Sequence, residues 1–530
     1  MSDRTTTAAL VGLCTVLVAV AWSNRFVQDD AYIVFRYAEH LARGEGLVWN
    51  AGERVEGYSS FLHTVLLAGG RRVGLDPVAT AHAIGLSAFL GSLLATFVAA
   101  RLTFASSGAA LLTVALLGTN YTFSIFASGG LETSLHAFFV CAGLALLARG
   151  QLFGWSSPLP VLMSAVLALL MLTRPDSAIV CGVFAGIAFW RMRPAQTWRP
   201  YVELLAPAAL VTTLWLGWKL VYYGELLPNT YHVKVASSTS LRYGLRYLYL
   251  FFGSYWLLPM AVLTAVLLPR LLRERRDALL AAVALSVLWL GYIVRVGGDF
   301  MEFRFMVPLL PSLMLLIVAT ILTVSASRAV RVGLVAIVVA GSANHAVGYG
   351  LTAGGLRPES RDDLQGHLTG PDQNWVGIGQ ALRQAAERDR SLVIAVAPAG
   401  AIPYHSELPT IDMLGLSDRW VARNGDILGS WPGHQRVAPY SYLERRGVHL
   451  IIGHPVLRPA SEPRPPAYPY QYFRALALPT TRGETVPAAA RVVEMPVGQA
   501  RYLPMLYVRP HPVVERQVSR GAWRRVPLSR

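Results

Sequence analysis

Long apolar runs are the feature that most constrains this chain. Of its 530 residues, 54% are hydrophobic and 15% are charged, which is more apolar surface than one soluble core can bury. The sequence therefore predicts a mainly α membrane protein with about 11 transmembrane helices. Apolar runs of spanning length lie near residues 8–24, 78–100, 108–127, 133–148, 157–173, 177–190, 201–223, 247–268, 278–296, 303–324 and 329–348.

A twelfth apolar stretch, Phe61–Gly70, is too short to span a bilayer. We expect it to form an interfacial amphipathic helix within a long first loop, residues 24–76. The first apolar run resembles a signal peptide, with Ala19–Ala21 at the cleavage position. We favour an uncleaved anchor, because cleavage would separate Asp29 and Asp30 from the helix that positions them.

Arginine distribution predicts the orientation, because short loops rich in positive charge stay in the cytoplasm. With the N-terminus inside, the charges alternate cleanly over the eleven runs and the C-terminal region lies outside the cytoplasm. We therefore expect a multi-pass membrane protein. The cytoplasmic loops would carry Arg101, Arg149, Arg191, Arg193, Arg199, Arg270, Arg273, Arg275, Arg276, Arg328 and Arg331.

The C-terminal third has a different character, since proline, glycine and charge increase and no run is long enough to span. We expect a membrane domain over residues 1–349 and an extracytoplasmic α/β domain over residues 350–530. Helical periodicity covers Trp375–Arg388. Predicted strands are Leu392–Ala397, Val448–Ile452, Phe473–Leu478 and Tyr502–Val508.

Charge and cysteine content exclude several functions. The net charge of +16 comes from scattered arginines, and lysine occurs only at two positions, so nucleic acid is not an expected partner. The three cysteines all lie in apolar runs, which argues against disulfides and cysteine-based metal sites. The histidines in the C-terminal region and the last span lack metal-ligand spacing. The lysines are Lys219 and Lys234, the cysteines are Cys14, Cys141 and Cys181, and the histidines are His345, His405 and His434.

Polar motifs fall on the outward loops of this topology. Such a convergence suits glycosyl transfer from a lipid-phosphate donor, because a carboxylate can accept the acceptor hydroxyl's proton or bind a divalent ion, while cations stabilise the departing phosphate. The motifs are Gln28–Tyr37, Glu53–Tyr58, Ser128–Thr133, Thr173–Asp176, Pro228–Lys234 and Gly297–Arg304.

Three carboxylates are the catalytic candidates: Asp29, Asp30 and Glu132. The aspartates could instead cap the helix that begins near Tyr32, although one cap needs only one of them. Glu132 could likewise belong to the first turn of the fourth span. A divalent metal ion is the one cofactor left open, with Asp30, Glu56 and Glu132 as its candidate ligands.

Donor and phosphate binding is assigned to a second group of polar residues. Arg174 could alternatively form a turn with Asp176, Lys234 could be a solvated loop residue, and Arg304 could extend to the interface. The candidates are Arg174, Asn229, Tyr231, Lys234, Asp299 and Arg304. Residues expected to shape the site or contact the acceptor are Tyr32, Arg36, Glu53, Glu56 and His434.

Together these motifs resemble GT-C glycosyltransferases, and most of all the AftB family of terminal arabinofuranosyltransferases. The resemblance is carried by Asp29–Tyr37, Gly52–Gly57, Gly130–Thr133 and Gly298–Arg304. It implies a GT-C fold, with an essential aspartate in the first extracytoplasmic loop and Glu132 as the second acid. It also implies a decaprenyl-phosphoryl arabinofuranose donor, a terminal arabinan hydroxyl as acceptor, and a location in the bacterial inner (plasma) membrane.

The sequence thus favours a transferase that moves a sugar, expected to be arabinofuranose, from a polyprenyl phosphate to a cell-envelope polysaccharide or glycoprotein. One alternative is a transporter or flippase for a lipid-linked sugar, but transport favours ionisable residues in mid-span, where Lys219 is almost alone. The other alternative is a glycan-binding membrane protein without catalysis.

Overall fold

The structure of the chain, a computed structural model, describes residues 3–193, 197–234, 240–273, 276–324, 327–350, 357–387, 389–429, 433–479 and 482–530. A helical half comes first and a mixed α/β domain follows it. The helices of the first half are α1 (Asp3–Ser23), α2 (Asp29–Ala42), α3 (Phe61–Arg72), α4 (Pro77–Phe104), α5 (Ser107–Gly118), α6 (Tyr121–Ile125), α7 (Thr133–Phe153), α8 (Leu159–Thr173), α9 (Ala178–Met192), α10 (Arg199–Tyr223), α11 (Asn229–Lys234), α12 (Ser240–Ser254), α13 (Leu258–Leu271), α14 (Asp277–Val296), α15 (Leu310–Val324) and α16 (Arg328–Gly348).

Helices occupy all eleven predicted apolar runs. Among the described residues, six helices are long and apolar enough to cross a membrane, and a bent pair, α12 with α13, gives a seventh candidate. Three shorter apolar helices, α5, α8 and α15, lie below that length. The mainly helical fold is confirmed, while the number of eleven spans stays a prediction.

Two predicted spans are broken, and polar or proline residues explain the breaks. Residues 108–127 form α5 and α6, because the Asn120 side chain accepts a hydrogen bond from Phe123 N and starts a new helix. Residues 247–268 form α12 and α13, which meet at an angle of 100°. Pro259 lies in the first turn of α13, where the missing N–H of proline needs no partner within the helix.

The stretch Phe61–Gly70 forms α3, a helix of 12 residues that is too short to span. Its Gly70 packs against Thr80 at the start of α4. The predicted run 303–324 begins instead with a single 3₁₀ turn, Arg304–Met306, before α15. Pro308 lies before α15 and Pro311 lies in its first turn, because proline lacks the backbone donor that a helix needs farther along.

The C-terminal domain combines short helices with one main sheet. Its elements are α17 (Arg361–Thr369), α18 (Trp375–Ala386), β1 (Ile394–Val396), α19 (Ala401–Ser406), β2 (Thr410–Asp412), α20 (Arg419–Asn424), β3 (Asp426–Ile427), β4 (Arg436–Val437), α21 (Tyr440–Arg445), β5 (Leu450–Gly453), β6 (Arg458–Pro459), β7 (Tyr468–Pro469), α22 (Tyr470–Leu476), β8 (Arg491–Val497), β9 (Arg501–Tyr507), α23 (Pro512–Ser519), β10 (Arg524–Val526) and β11 (Leu528–Ser529). The predicted helix Trp375–Arg388 is present as α18, and Arg388 itself lies outside the described residues.

The main sheet of the described chain has the order β10-β8-β9-β5-β1-β2, with β6 paired to β9. Strand β1 pairs in parallel with β2 and β5, and the remaining strands pair antiparallel. Three predicted strands match β1, β5 and β9. The predicted strand Phe473–Leu478 is wrong, because most of it belongs to helix α22, which starts directly after Pro469. Strand β8 was not predicted.

The C-terminal domain rests on the face of the helical half that carries α2 and the motif-bearing loops. Buried Arg36 on α2 donates to the backbone carbonyls of Pro403 (2.5 Å) and Leu408 (2.9 Å). Asn229 donates to the carbonyl oxygens of Gly415 (2.7 Å) and Leu416 (3.1 Å). These buried charged and amide groups need partners, so they fix the two halves against each other.

Candidate active site

A cavity with an empty volume of about 1180 Å³ lies between the helical half and the C-terminal domain. Its walls come from both parts. We call the charged side chains from the helical half the cavity floor: Asp29, Asp30, Glu132 and Arg304. We call the residues that follow the last helix of that half the cavity roof: Glu359, His367, Trp375, His434 and His454.

The floor residues are far apart in sequence, and the ends of different helices bring them together. Asp29 and Asp30 form the first turn of α2, and Glu132 immediately precedes α7 without capping it through its side chain. Arg304 opens the 3₁₀ turn before α15. Acids near helix N-termini are electrostatically favourable, and here they also face one common cavity.

Glu132 is buried and ion-paired. Arg174 Nη1 lies 2.7 Å from Glu132 Oε1, and Arg174 Nη2 lies 2.6 Å from Asp176 Oδ2. Burial alone would raise the pKa of Glu132, but Arg174 and Arg304 nearby bring that pKa below its usual value. Arg174 therefore lies behind Glu132 and keeps this carboxylate charged. Because Arg174 also pairs with Asp176, the predicted turn pair is connected to the floor.

Arg304 is also paired within the floor. Its Nε lies 2.6 Å from Asp299 Oδ2, and both side chains are buried. Arg304 lines the cavity, whereas Asp299 lies behind it and bonds the backbone N–H of Phe300. Asp299 thus holds a guanidinium in place at the cavity wall.

Asp29 makes a contact that the sequence did not indicate. Its two carboxylate oxygens accept hydrogen bonds from Gly400 N (3.0 Å) and Ala401 N (2.7 Å), at the start of α19 in the C-terminal domain. A Cβ at position 400 would lie 1.9 Å from the backbone oxygen of Asp29, so only glycine fits. Burial raises the pKa of Asp29 to about 7 against the effect of these hydrogen bonds.

Glu56 lies apart from the floor. Its Oε2 is 2.8 Å from Lys219 Nζ, and both side chains are buried. Burial raises the pKa of Glu56 to about 7, although Lys219 opposes this shift. The structure thus gives Lys219, the charge near the end of α10, a structural partner in the first loop. Gly57, which follows Glu56 in the chain, lines the cavity.

The residues expected to shape the site mostly join the two halves. Tyr32 packs against the rings of Tyr404 and His405, with centroids 5.4 and 5.1 Å away. Arg36 makes the carbonyl contacts described above, and burial lowers its pKa to about 10. Glu53 pairs with Arg446 of the C-terminal domain. None of these three lines the cavity described here.

The α11 segment contributes less directly than expected. Asn229 binds the C-terminal domain, its neighbour Thr230 lines the cavity, and Tyr231 is 47% exposed. The side chain of Lys234 lies outside the described residues. His434 does line the cavity, with its ring 5.5 Å from that of Phe300.

The roof contains residues that the sequence analysis missed. The His367 ring stacks on Trp375 with centroids 4.8 Å apart and planes 8° from parallel, and its Nε2 lies 3.1 Å from Glu359 Oε2. His454 meets the edge of Trp375 at 5.8 Å. No spacing motif links these residues, because the turns between α16 and β5 bring them together. The one local signal was the helical period that begins at Trp375.

A backbone bridge ties floor to roof. Glu302 N donates to Glu359 O (2.8 Å) and Glu359 N donates to Phe300 O (2.6 Å), which forms a parallel β-bridge between Met301 and Glu359. This bridge lies beside Arg304. The loop that carries the floor arginine is therefore held by the segment that leads into the C-terminal domain.

The described part of the chain brings no three His, Cys, Asp or Glu side chains into an arrangement that could hold a metal ion. Of the proposed ligands, Asp30 and Glu132 line the same cavity, while Glu56 is paired with Lys219. Glu132 is itself held by Arg174.

A second, apolar groove of about 740 Å³ empty volume lies beside the bend between α12 and α13. Residues of α13, α14 and α15 line it, among them Met260, Leu290 and Ile317. The preceding helix reaches the floor loop, because Phe251 packs on Phe303 with centroids 5.3 Å apart. A hydrocarbon chain would find an apolar surface here.

Comparisons with known proteins agree with this architecture. Residues 365–502, which include most of the roof, match a domain of unknown function, DUF8728. The terminal beta-(1->2)-arabinofuranosyltransferase of Mycobacterium tuberculosis is 30% identical over 327 residues, covering 54% of this chain and 51% of the relative. The protein of the same name from Corynebacterium glutamicum is 28% identical over 347 residues, covering 57% and 49%. The chain thus spans about half the length of these relatives.

Solved structures match over nearly the whole chain. ArnT from Cupriavidus metallidurans bound to undecaprenyl phosphate has a TM-score of 0.58 at 15% identity and covers 95% of this chain and 98% of its own. The Archaeoglobus fulgidus oligosaccharyltransferase has a TM-score of 0.52 at 10% identity, covering 94% and 74%. The resemblance expected from the motifs is confirmed: the chain is a multi-pass membrane protein with the GT-C fold and a C-terminal α/β region.

Proposed function

We propose that this protein is a GT-C glycosyltransferase that moves arabinofuranose from a polyprenyl phosphate to a cell-envelope glycan on the extracytoplasmic side. The observation that carries the proposal is the convergence of three carboxylates and a fixed arginine in one cavity. The relatives named arabinofuranosyltransferases support the choice of sugar. The polyprenyl phosphate bound to ArnT supports the choice of donor.

Asp30 is the proposed catalytic base. Both oxygens of Asp29 accept backbone hydrogen bonds from the C-terminal domain, which makes Asp29 a positioning residue. Asp30 follows it in the same helical turn and lines the cavity. In the reaction, Asp30 takes the proton of the acceptor hydroxyl as that oxygen bonds to the anomeric carbon.

As this new bond forms, the bond between the anomeric carbon and the phosphate oxygen breaks, and polyprenyl phosphate leaves with the bonding electrons. Arg304, fixed by Asp299, is placed to stabilise the negative charge on that phosphate. Glu132 contributes negative charge to the same cavity and is kept ionised by Arg174. The prenyl chain would occupy the apolar groove beside α13, and the roof would hold the polysaccharide or glycoprotein acceptor.

The test is release of decaprenyl phosphate from radiolabelled decaprenyl-phosphoryl arabinofuranose by purified protein with an arabinan acceptor. Asp30→Asn is expected to lower turnover by about 10²- to 10⁴-fold, the usual contribution of a general base. Asp372→Asn is the matched control, because the Asp372 side chain is 76% exposed. Wild-type turnover in a folded Asp30→Asn protein would reject this base.

The same assay decides the role of a divalent ion. Base catalysis by Asp30 predicts that a chelator leaves turnover unchanged. A loss that Mg²⁺ or Mn²⁺ restores would assign Asp30 and Glu132 to a cation that binds the donor phosphate, instead of to proton transfer.

A further inference from the structure

Two neutral polar groups in the cavity wall have no protein partner in the described part of the chain. Gln28 is fully buried, and neither its amide nitrogen nor its amide oxygen makes a hydrogen bond there. The indole nitrogen of Trp375, which is 5% exposed, also lacks an acceptor. Both residues line the cavity, one beside the floor and one in the roof.

Local structure does not account for either group. Gln28 occupies the N-cap position of α2 with an extended backbone, yet its side chain makes no capping hydrogen bond. Trp375 begins α18, but the Asn374 side chain caps that helix by accepting from Gly377 N. His367 stacks on the Trp375 ring, and the His454 ring lies perpendicular to it. Folding therefore leaves these groups buried and unpaired.

Such groups are rare in folded proteins, because a buried donor or acceptor that loses water without gaining a partner costs free energy. They are retained where a ligand supplies the missing hydrogen bonds. An amide offers two donors and one acceptor, and an indole offers one donor, all without net charge. Their natural complement is a group that both donates and accepts, as a hydroxyl does.

The group that Gln28 and Trp375 would bind differs from the phosphate in charge, because these two side chains are neutral. A phosphate is expected near Arg304, whose guanidinium lines the same cavity. Gln28 directly precedes Asp29 and Asp30, so a sugar held there lies next to the proposed base. We propose that Gln28 and Trp375 form the subsite that binds the hydroxyl groups of the transferred sugar. This inference rests on the proposed function, because it assumes a lipid-phosphate sugar donor.

The test compares two lipids on purified wild-type protein and on Gln28→Met. The probes are decaprenyl phosphate and decaprenyl-phosphoryl arabinofuranose, and the readouts are the ligand-induced shift in unfolding temperature and the half-saturating concentration. For the variant, we expect an unliganded unfolding temperature equal to or above wild type, because methionine removes an unpaired amide at similar volume.

The response to decaprenyl phosphate should be unchanged in Gln28→Met, while the half-saturating concentration of the sugar-bearing lipid should rise about tenfold, as expected for lost hydrogen bonds. Trp375→Phe should behave in the same way and serves as the independent second variant. Gln365→Met and Trp198→Phe are matched controls at exposed positions.

Three results would overturn the subsite. The first is a large drop in unliganded stability with equal weakening for both lipids, which would make Gln28 and Trp375 structural. The second is a wild-type protein that binds both lipids equally, which leaves the proposed lipid-phosphate site intact but removes the sugar subsite. The third is a wild-type protein that responds to neither lipid, which overturns the proposed function together with this inference.

Discussion

The floor and the roof of the cavity are built from different chemistry. The floor consists of ion pairs anchored at helix ends, such as Glu132 with Arg174 and Asp299 with Arg304. The roof consists mainly of rings, with His367 and His454 packed on Trp375 and His434 packed on Phe300. Fixed charges are suited to stabilising a changing charge, and aromatic surfaces are suited to holding a polyol. We therefore expect the floor to perform the transfer and the roof to bind the sugar and the acceptor.

The largest expected effect separates floor from roof directly. Arg304→Met should lower turnover of the lipid donor about 10²- to 10³-fold, as loss of one charge-stabilising donor does in other enzymes. His434→Ala in the roof should lower turnover less than about tenfold and raise the acceptor concentration needed for half-maximal rate. Initial rates over a range of acceptor concentrations measure both. Equal losses would remove the division of labour between floor and roof.

A second test concerns the ion pairs of the floor. Arg174→Met leaves Glu132 buried without its closest cation and should destabilise the protein by about 3–5 kcal/mol. Thermal or denaturant unfolding in detergent measures the loss. Adding Glu132→Gln should recover part of the stability, since the uncompensated charge disappears. If the single variant unfolds like wild type, the pair does not stabilise the floor.

A third test loosens the contact between the halves. Gly400→Ala places a Cβ against the Asp29 carbonyl and should cost about 1–3 kcal/mol, with a parallel loss of turnover. Gly366→Ala, also in the C-terminal domain, is the matched control, because nothing lies within 4 Å of its added Cβ. An alanine at position 400 that preserves stability and turnover would show that floor and roof need no close contact there.

The smallest expected effect is a pH dependence. Burial raises the pKa of Asp29 from its usual 3.8 to about 7, so its protonated form is favoured in the folded protein. The stability that this group contributes is present below pH 3.8 and is lost as the pH rises through about 7. Between pH 5 and 8, wild-type unfolding temperature should fall about 2 °C more than that of Asp29→Asn. If the unfolding temperatures of wild type and Asp29→Asn fall by the same amount over this pH range, Asp29 titrates at its ordinary pKa.

The sequence predicted the floor better than the roof, and the reason is physical. Polar residues at the ends of apolar runs must lie near the membrane surface, so hydropathy alone placed Asp30, Glu132 and Arg304 on one face. His367 and His454 reach the cavity only through the tertiary fold of a small domain with short strands. Hydrophobic periodicity carries no information on the turns of that fold. For the same reason, the segment that forms helix α22 was predicted to be a strand.

The contact of Asp29 with the C-terminal domain could not have been predicted from sequence either. Asp29 and Asp30 are adjacent and chemically identical, and both were candidates for catalysis. One N–H that Asp29 accepts comes from Gly400, which lies 371 positions away in the chain. Contacts between remote segments decide such roles, and a single sequence does not record them.

The β-bridge between Met301 and Glu359 has a consequence for protein engineering. An exchange of the C-terminal domain could be cut directly after α16, the helix that ends at Gly348. Such a cut would give the recipient a foreign partner for the backbone beside Arg304. A chimaera that exchanges specificity should therefore carry residues 299–304 along with the transplanted domain, so that the donor's own bridge is preserved.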